Sequence, residues 1–346
     1  MIYNEEKIKS YLKNILSIPS PSGYTSKIMD YIIDELQILN APYIITNKGA
    51  VIVTLKGKNN DYQRTLSAHV DTLGAMVKNI NTSGSLAIDP IGGFMMNSIE
   101  GENCQIETIN GETFTGTIQT TKPSVHINGS DARELKRVPE NMEVILDEKI
   151  SSKLEVEELG ISVGDFICFD ARTIFTQKGF IKSRHLDDKA SVAILLYVIK
   201  YTLESKIELP YTTNIYISNY EEVGHGASSA IPLKTKEFIS VDMGCPGPLQ
   251  NSSEYSVCIC AKDSSGPYDL GLRRKLTEVC KNENIDYKID VYPHYGSDAS
   301  AALRAGWDIK TALIGAGIFA SHGYERTHMD SILATLDLII KYNMLE

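Results

Sequence analysis

A chain of 346 residues, 42% hydrophobic and 23% charged, can bury a sizeable core without disulfide or metal staples and is long enough for two domains. Its formal net charge of −10 argues against a nucleic-acid partner, whose phosphates require a positive surface, and no stretch approaches the roughly 18 apolar residues of a membrane-spanning helix. The first residues carry Glu5, Glu6, Lys7 and Lys9 with no apolar core, so no signal peptide is expected there. Six cysteines (Cys104, Cys168, Cys245, Cys258, Cys260 and Cys280) include no Cys-x-x-Cys pair and point to reduced, mostly buried thiols in a cytoplasmic protein.

In chain order, Ile8, Tyr11, Leu12, Ile15 and Leu16 recur at helical spacing after Asn4, a candidate N-cap. Pro19-Ser20-Pro21-Ser22-Gly23 breaks that helix, and a second presents Ile28, Tyr31, Ile32, Leu36 and Leu39 on one face. Strand-like runs follow at 43–46, 50–55 and 65–70. From about Thr72 to Arg172 the texture changes to short β-prone runs between Gly-rich turns, without long helices. Helix and strand then alternate: helix 190–201, strands 213–219 and 238–241, helix 269–281, strand 287–291, helix 298–305, strand 310–315 and a last helix 329–342. Cys258 and Cys260, two apart, fit one face of a further strand.

Such alternation predicts an α/β domain with a mixed, mostly parallel sheet and flanking helices. That domain is expected from 1–72 and 173–346, interrupted by a small β domain over 73–172.

In open α/β sheets, ligands bind beyond the carboxyl ends of the strands. His69 and Asp71 follow Thr65-Leu66-Ser67-Ala68, Glu221 and Glu222 follow 213–220, and Asp242 follows Phe238-Ile239-Ser240-Val241. His322 follows the apolar run 312–320, and Asp187-Asp188 precede a helix. Singly, each has a plainer reading: a turn, a solvated pair, an N-cap. Together they suggest one cleft. His with Asp and Glu suits divalent zinc, cobalt or manganese, and a bridging carboxylate holds two ions about 3.5–4 Å apart. Of adjacent Glu221 and Glu222, one can ligate while the other serves as general base. Asp71 can accept the second N–H of the His69 imidazole.

Here the chain resembles the glutamyl, or tetrahedral (TET-type), aminopeptidases among the dinuclear metallopeptidases. The resemblance is carried by Ala68-His69-Val70-Asp71-Thr72-Leu73-Gly74, His185-Leu186-Asp187-Asp188-Lys189-Ala190, Asn219-Tyr220-Glu221-Glu222-Val223-Gly224, Ser240-Val241-Asp242-Met243-Gly244, Gly296-Ser297-Asp298-Ala299 and Ser321-His322-Gly323-Tyr324. It implies two divalent metal ions per subunit, zinc or cobalt first and manganese as an option. One would be held by His69, Asp187 and Asp242, the other by Asp187, Glu222 and His322, with Glu221 as catalytic base and Asp71 orienting His69.

Pro90-Ile91-Gly92-Gly93 and Glu158-Leu159-Gly160-Ile161-Ser162-Val163-Gly164-Asp165-Phe166 resemble the family's β-barrel dimerisation domain. That implies peptide substrates and a homo-oligomer built from dimers, up to a dodecamer. The chain departs from the family at Lys189, where Arg is usual, and at His322-Gly323-Tyr324, where His-Ser-Pro is usual; His328 is the alternative C-terminal ligand. The rival readings are a related dinuclear dipeptidase, carboxypeptidase or deacylase, and a non-catalytic scaffold.

Overall fold

Asn4 caps the first helix, α1 (Glu5–Leu16), its side chain accepting the Lys7 N–H at 3.1 Å. The face built by Ile8, Tyr11, Leu12, Ile15 and Leu16 is buried, as its spacing requires. The computed structural model describes residues 3–346. They form two compact units, one from the chain up to Asp71 together with Arg172–Glu346, the other Thr72–Ala171.

The first unit opens with α1, α2 (Ser26–Ile38), β1 (Tyr43–Ile45), β2 (Val51–Leu55) and β3 (Gly57–His69). The second unit holds β4 (Gly74–Ile80), β5 (Leu86–Ile91), β6 (Asn103–Glu107), β7 (Thr113–Thr120), β8 (Met142–Leu146) and β9 (Phe166–Phe169), with short helices α3 (Val125–Asn128), α4 (Ser130–Glu134) and α5 (Lys153–Glu158). The chain returns to the first unit through β10 (Ile174–Phe175), β11 (Phe180–Ser183), α6 (Leu186–Glu204), β12 (Leu209–Ser218) and β13 (Thr235–Gly244). It ends with β14 (Val257–Asp263), β15 (Gly266–Pro267), α7 (Leu270–Glu283), β16 (Tyr287–Val291), α8 (Asp298–Arg304), β17 (Lys310–Gly317), β18 (Glu325–His328) and α9 (Met329–Asn343).

The main sheet runs β1-β2-β12-β3-β13-β17-β14-β15, with β16 beside β14. Its centre, β12, β3, β13 and β17, is parallel. Strands covered on both faces read as near-continuous apolar runs, and β13 and β17 are buried at every position but one each. Antiparallel β2 and β14 flank this core. The fold is therefore the mixed, mostly parallel sheet expected. Residues Leu186 to Ile199 of α6 are buried without interruption, so this helix is core on all sides. Asp242 pairs with Gly315 across β13 and β17, where a Cβ would come within 2.0 Å of the Asp242 carbonyl; only glycine fits that approach.

In the second unit, β4-β5-β8-β7-β6-β9 close into an antiparallel barrel. Met142, Val144 and Leu146 turn inward from β8 while Ile145 is exposed, the period of two that closure around a small core demands.

Among the strands that differ from expectation are β3 and β18. β3 begins at Gly57, because Gly57 and Asn59 pair with Leu209 and Tyr211 at the start of β12, although the polar Lys58-Asn59-Asn60-Asp61 offers no apolar pattern. β18 was not expected; Glu-Arg-Thr-His lacks strand alternation and is held by antiparallel pairing to β11.

Candidate metal centre

Parallel pairing sets the site. Ser218, the last residue of β12, lies opposite His69, the last residue of β3, so the segment carrying Glu221 and Glu222 emerges beside the imidazole. Asp242 lies near the same ends of the sheet, on β13. Asp187 and Asp188, joined by a cis peptide bond, stand at the start of α6 with non-helical backbone and buried side chains. They are not a solvated N-cap.

The side chains converge. His69 Nε2 lies 3.3 Å from Asp187 Oδ1, 3.7 Å from Glu221 Oε2 and 4.0 Å from Asp242 Oδ2. His322 Nε2 lies 3.4 Å from Asp187 Oδ2 and 3.4 Å from Glu222 Oε2. The donor atoms of His69, Asp187 and Asp242 all lie within 4.8 Å of one another, as do those of Asp187, Glu222 and His322. Asp187 belongs to both triads and turns a different oxygen to each imidazole.

The surrounding chain fixes these groups. His69 Nδ1 donates to the Asp71 main-chain carbonyl at 2.9 Å, which can only accept; this puts the proton on Nδ1 and leaves the Nε2 lone pair for the site. The Asp71 carboxylate is farther from the ring, at 3.5 Å. It instead accepts the Glu221 N–H at 3.0 Å, the Glu222 N–H at 3.2 Å and the Ser22 hydroxyl at 2.5 Å. Asp71 thus reaches the imidazole mainly through its backbone, and its side chain anchors the Glu-Glu segment.

Farther along that segment, Asp298 accepts from the Ala227 N–H at 2.8 Å and the Ser218 hydroxyl at 2.6 Å. Asp188 accepts the His69 N–H at 3.1 Å, and Ser321 donates to Asp187 Oδ2 at 2.9 Å.

Burial pushes the carboxyls up: Glu222 to about 8, Asp242 to about 7, and Glu221 well above the usual range, with neighbouring carboxylates adding to the effect. Burial would raise Asp187 too, but His322 and His69 hold it well below. The His69 imidazole, which burial alone would lower, is held up by Asp187 and Asp71. This is crowded negative charge that two imidazoles balance only in part.

Asp242 Oδ1 is buried without a hydrogen-bond partner, a costly arrangement unless a cation completes it. All donors are nitrogen or oxygen, the set that suits zinc, cobalt or manganese. The residues fit divalent ions. The cavity beside them has a volume of about 380 Å³ and is lined by Asp187, Glu221, Glu222, Asp242, Tyr295 and His322, among others.

The structure brings His69, Asp187, Glu221, Glu222, Asp242 and His322 together, with Asp71 directly behind. His328 stands apart: its Nε2 meets the Lys178 carbonyl at 2.8 Å and its Nδ1 accepts the Asp330 N–H at 3.1 Å, capping α9. Sequence reasoning missed Ser22, Glu325 and the role of Asp298. The Pro-Ser-Pro-Ser-Gly turn gave only a helix stop, and Glu325 lies in a strand without apolar alternation.

The donor cluster thus stands at the strand ends of a mixed α/β sheet, in a chain whose second unit is a closed β-barrel. A family model of the M42 glutamyl aminopeptidases matches residues 49–338, and the chain belongs to that family. YhfE, a candidate aminopeptidase of Bacillus subtilis strain 168, is 52% identical over 336 residues, 97% of each chain. Lysyl aminopeptidase of Pyrococcus furiosus is 25% identical over 90% of this chain and 89% of its own. The TET1 peptidase of Pyrococcus horikoshii, which can assemble into a tetrahedron or a large octahedral shell, superposes with a TM-score of 0.85 at 25% identity, covering 98% of this chain and 100% of that one. The protein is an aminopeptidase, a peptide hydrolase.

Proposed function

We propose that this aminopeptidase removes N-terminal residues with two divalent ions, one held by His69, Asp187 and Asp242 and the other by Asp187, Glu222 and His322. The observation that carries the reading is the geometry of Asp187, with Oδ1 3.3 Å from the His69 imidazole and Oδ2 3.4 Å from that of His322. The ions would acidify the attacking water and polarise the scissile carbonyl.

The remaining work belongs to side chains. Glu221, absent from both triads yet 3.7 Å from His69, is the base that takes a proton from the attacking water and returns it to the leaving amine. Asp71 aims Glu221 and Glu222 through their amides, while its carbonyl fixes the His69 tautomer.

The inserted barrel, 73–172, is read as a dimerisation module of a homo-oligomer. Its exposed apolar side chains, Ile109, Ile127 and Met95 among them, support that role, as does the assembly of the TET1 relative. Six free cysteines fit a reducing cytoplasm.

A panel of aminoacyl-nitroanilides, assayed with zinc, cobalt and manganese in turn, tests the activity. Cleavage of free-amino substrates that requires metal supports the reading. Release of acetate from N-acetylated amino acids, with no nitroaniline released from the free-amino substrates, would make the enzyme a deacylase instead.

A further inference from the structure

Glu325 opens β18, and its strand partner is Ser183, the last residue of β11. At this rung the two strands part: β11 runs on through His185 to Asp187, while β18 is entered from His322. Just beyond the rung, His185 (φ +67°) and His322 (φ +63°) both sit in the left-handed region. Side chains other than glycine occupy that region only where the surroundings hold them.

The Glu325 carboxylate, 2% exposed, bridges the gap. Oε2 accepts the Asp187 N–H and Oε1 the His322 N–H, each at 3.1 Å.

We propose that Glu325 is a positioning residue that sets the spacing of Asp187 and His322 and thereby the affinity of the second ion site. The inference rests on the two-ion reading above and goes beyond it by naming what holds the second site together. Without Glu325 the Asp187 and His322 N–H groups lose the carboxylate that ties them together, and the segments that carry them can settle apart.

The effect is unequal between the sites. Of the Asp187, Glu222 and His322 triad, two members hang from Glu325. Of the His69, Asp187 and Asp242 triad, one does; His69 is held by Asp71 and Asp188, and Asp242 by its place in β13. A side chain that only stabilised the fold would weaken both sites together. One that positions the second site lowers its affinity relative to the first.

Calorimetric titration of the metal-stripped full-length chain with zinc, checked by metal content after gel filtration, reads the two affinities separately. Glu325→Gln keeps the shape but turns an N–H₂ toward one of the two amides. Glu325→Asp keeps the charge but is one methylene too short to reach both, and it serves if the glutamine variant fails to fold.

The expected result is two ions in the wild type and, in either variant, a second-site affinity at least tenfold weaker, with the first site within about threefold. Variants that bind both ions as the wild type does, or lose both affinities in parallel, overturn the positioning role and leave the two-ion reading standing. A wild type that takes up fewer than two ions overturns both.

Discussion

Asp71 Oδ1 accepts the main-chain N–H of Glu221 at 3.0 Å, so the aim of the proposed base depends on a carboxylate at the end of another strand. The same carboxylate holds Glu222 at 3.2 Å, a ligand in the two-ion reading. Asp71→Asn keeps one acceptor oxygen and presents an N–H₂ to a donor. It should lower kcat about 10–100-fold, the usual cost of removing an orienting partner. Steady-state kinetics at saturating metal check this; an unchanged kcat would show the anchor to be dispensable.

Glu221→Gln separates chemistry from binding. Glutamine cannot carry a proton from water to the leaving amine, so kcat should fall about 10²–10⁴-fold while metal content stays at the wild-type value. Metal analysis beside the kinetic assay decides the matter. Loss of an ion would make Glu221 a ligand, and retained turnover would move the base elsewhere.

His322 and His328 should behave differently although both lie in the last quarter of the chain. His322→Ala removes a donor from the second triad and should lower bound metal. His328→Ala removes the N-cap of α9 and should cost about 0.5–2 kcal/mol of stability while leaving metal content unchanged. Metal content and thermal melts of both variants distinguish the two roles.

Away from the centre, Glu237 contributes to acid stability. Burial alone would raise its carboxyl, but hydrogen bonds from Lys275 and Tyr342, with the charges of Lys275 and Arg64, hold it below the ordinary range. Arg64 Nε stands 3.2 Å from Glu237 Oε2, and its Nη1 donates to the carbonyls of Tyr342 and Leu345, tying the C-terminal helix to the sheet. With the folded pKa below the unfolded one, this stabilisation is complete above about pH 4.3 and is lost as pH falls through the folded value. Glu237→Gln should cost about 3–5 kcal/mol at neutral pH, because it strands the buried guanidinium, and should flatten the acid limb of stability. Denaturant melts from pH 7 to 3 measure both effects.

The sequence shows much of this, for physical reasons. Parallel strands covered on both faces read as apolar runs, so a polar residue after such a run, as Asp242 is after Phe238-Ile239-Ser240-Val241, stands out. Several such residues of one chemical kind made the cluster readable.

Contacts between remote backbones were hidden. Glu325 meets Asp187 across 138 positions and through an amide, which no side-chain spacing records. Asp187-Asp188 at the start of α6 has the composition of an ordinary cap, and only the fold shows both side chains buried. The start of β3 was hidden as well, because pairing with β12 holds its polar residues in the strand.

Anomalous diffraction from crystals grown with zinc or cobalt tests the central claim most directly. Two peaks about 3.5–4 Å apart are expected, with the Asp187 carboxylate between them, one beside His69 and Asp242 and the other beside Glu222 and His322. A single peak, or peaks away from Asp187, would contradict it.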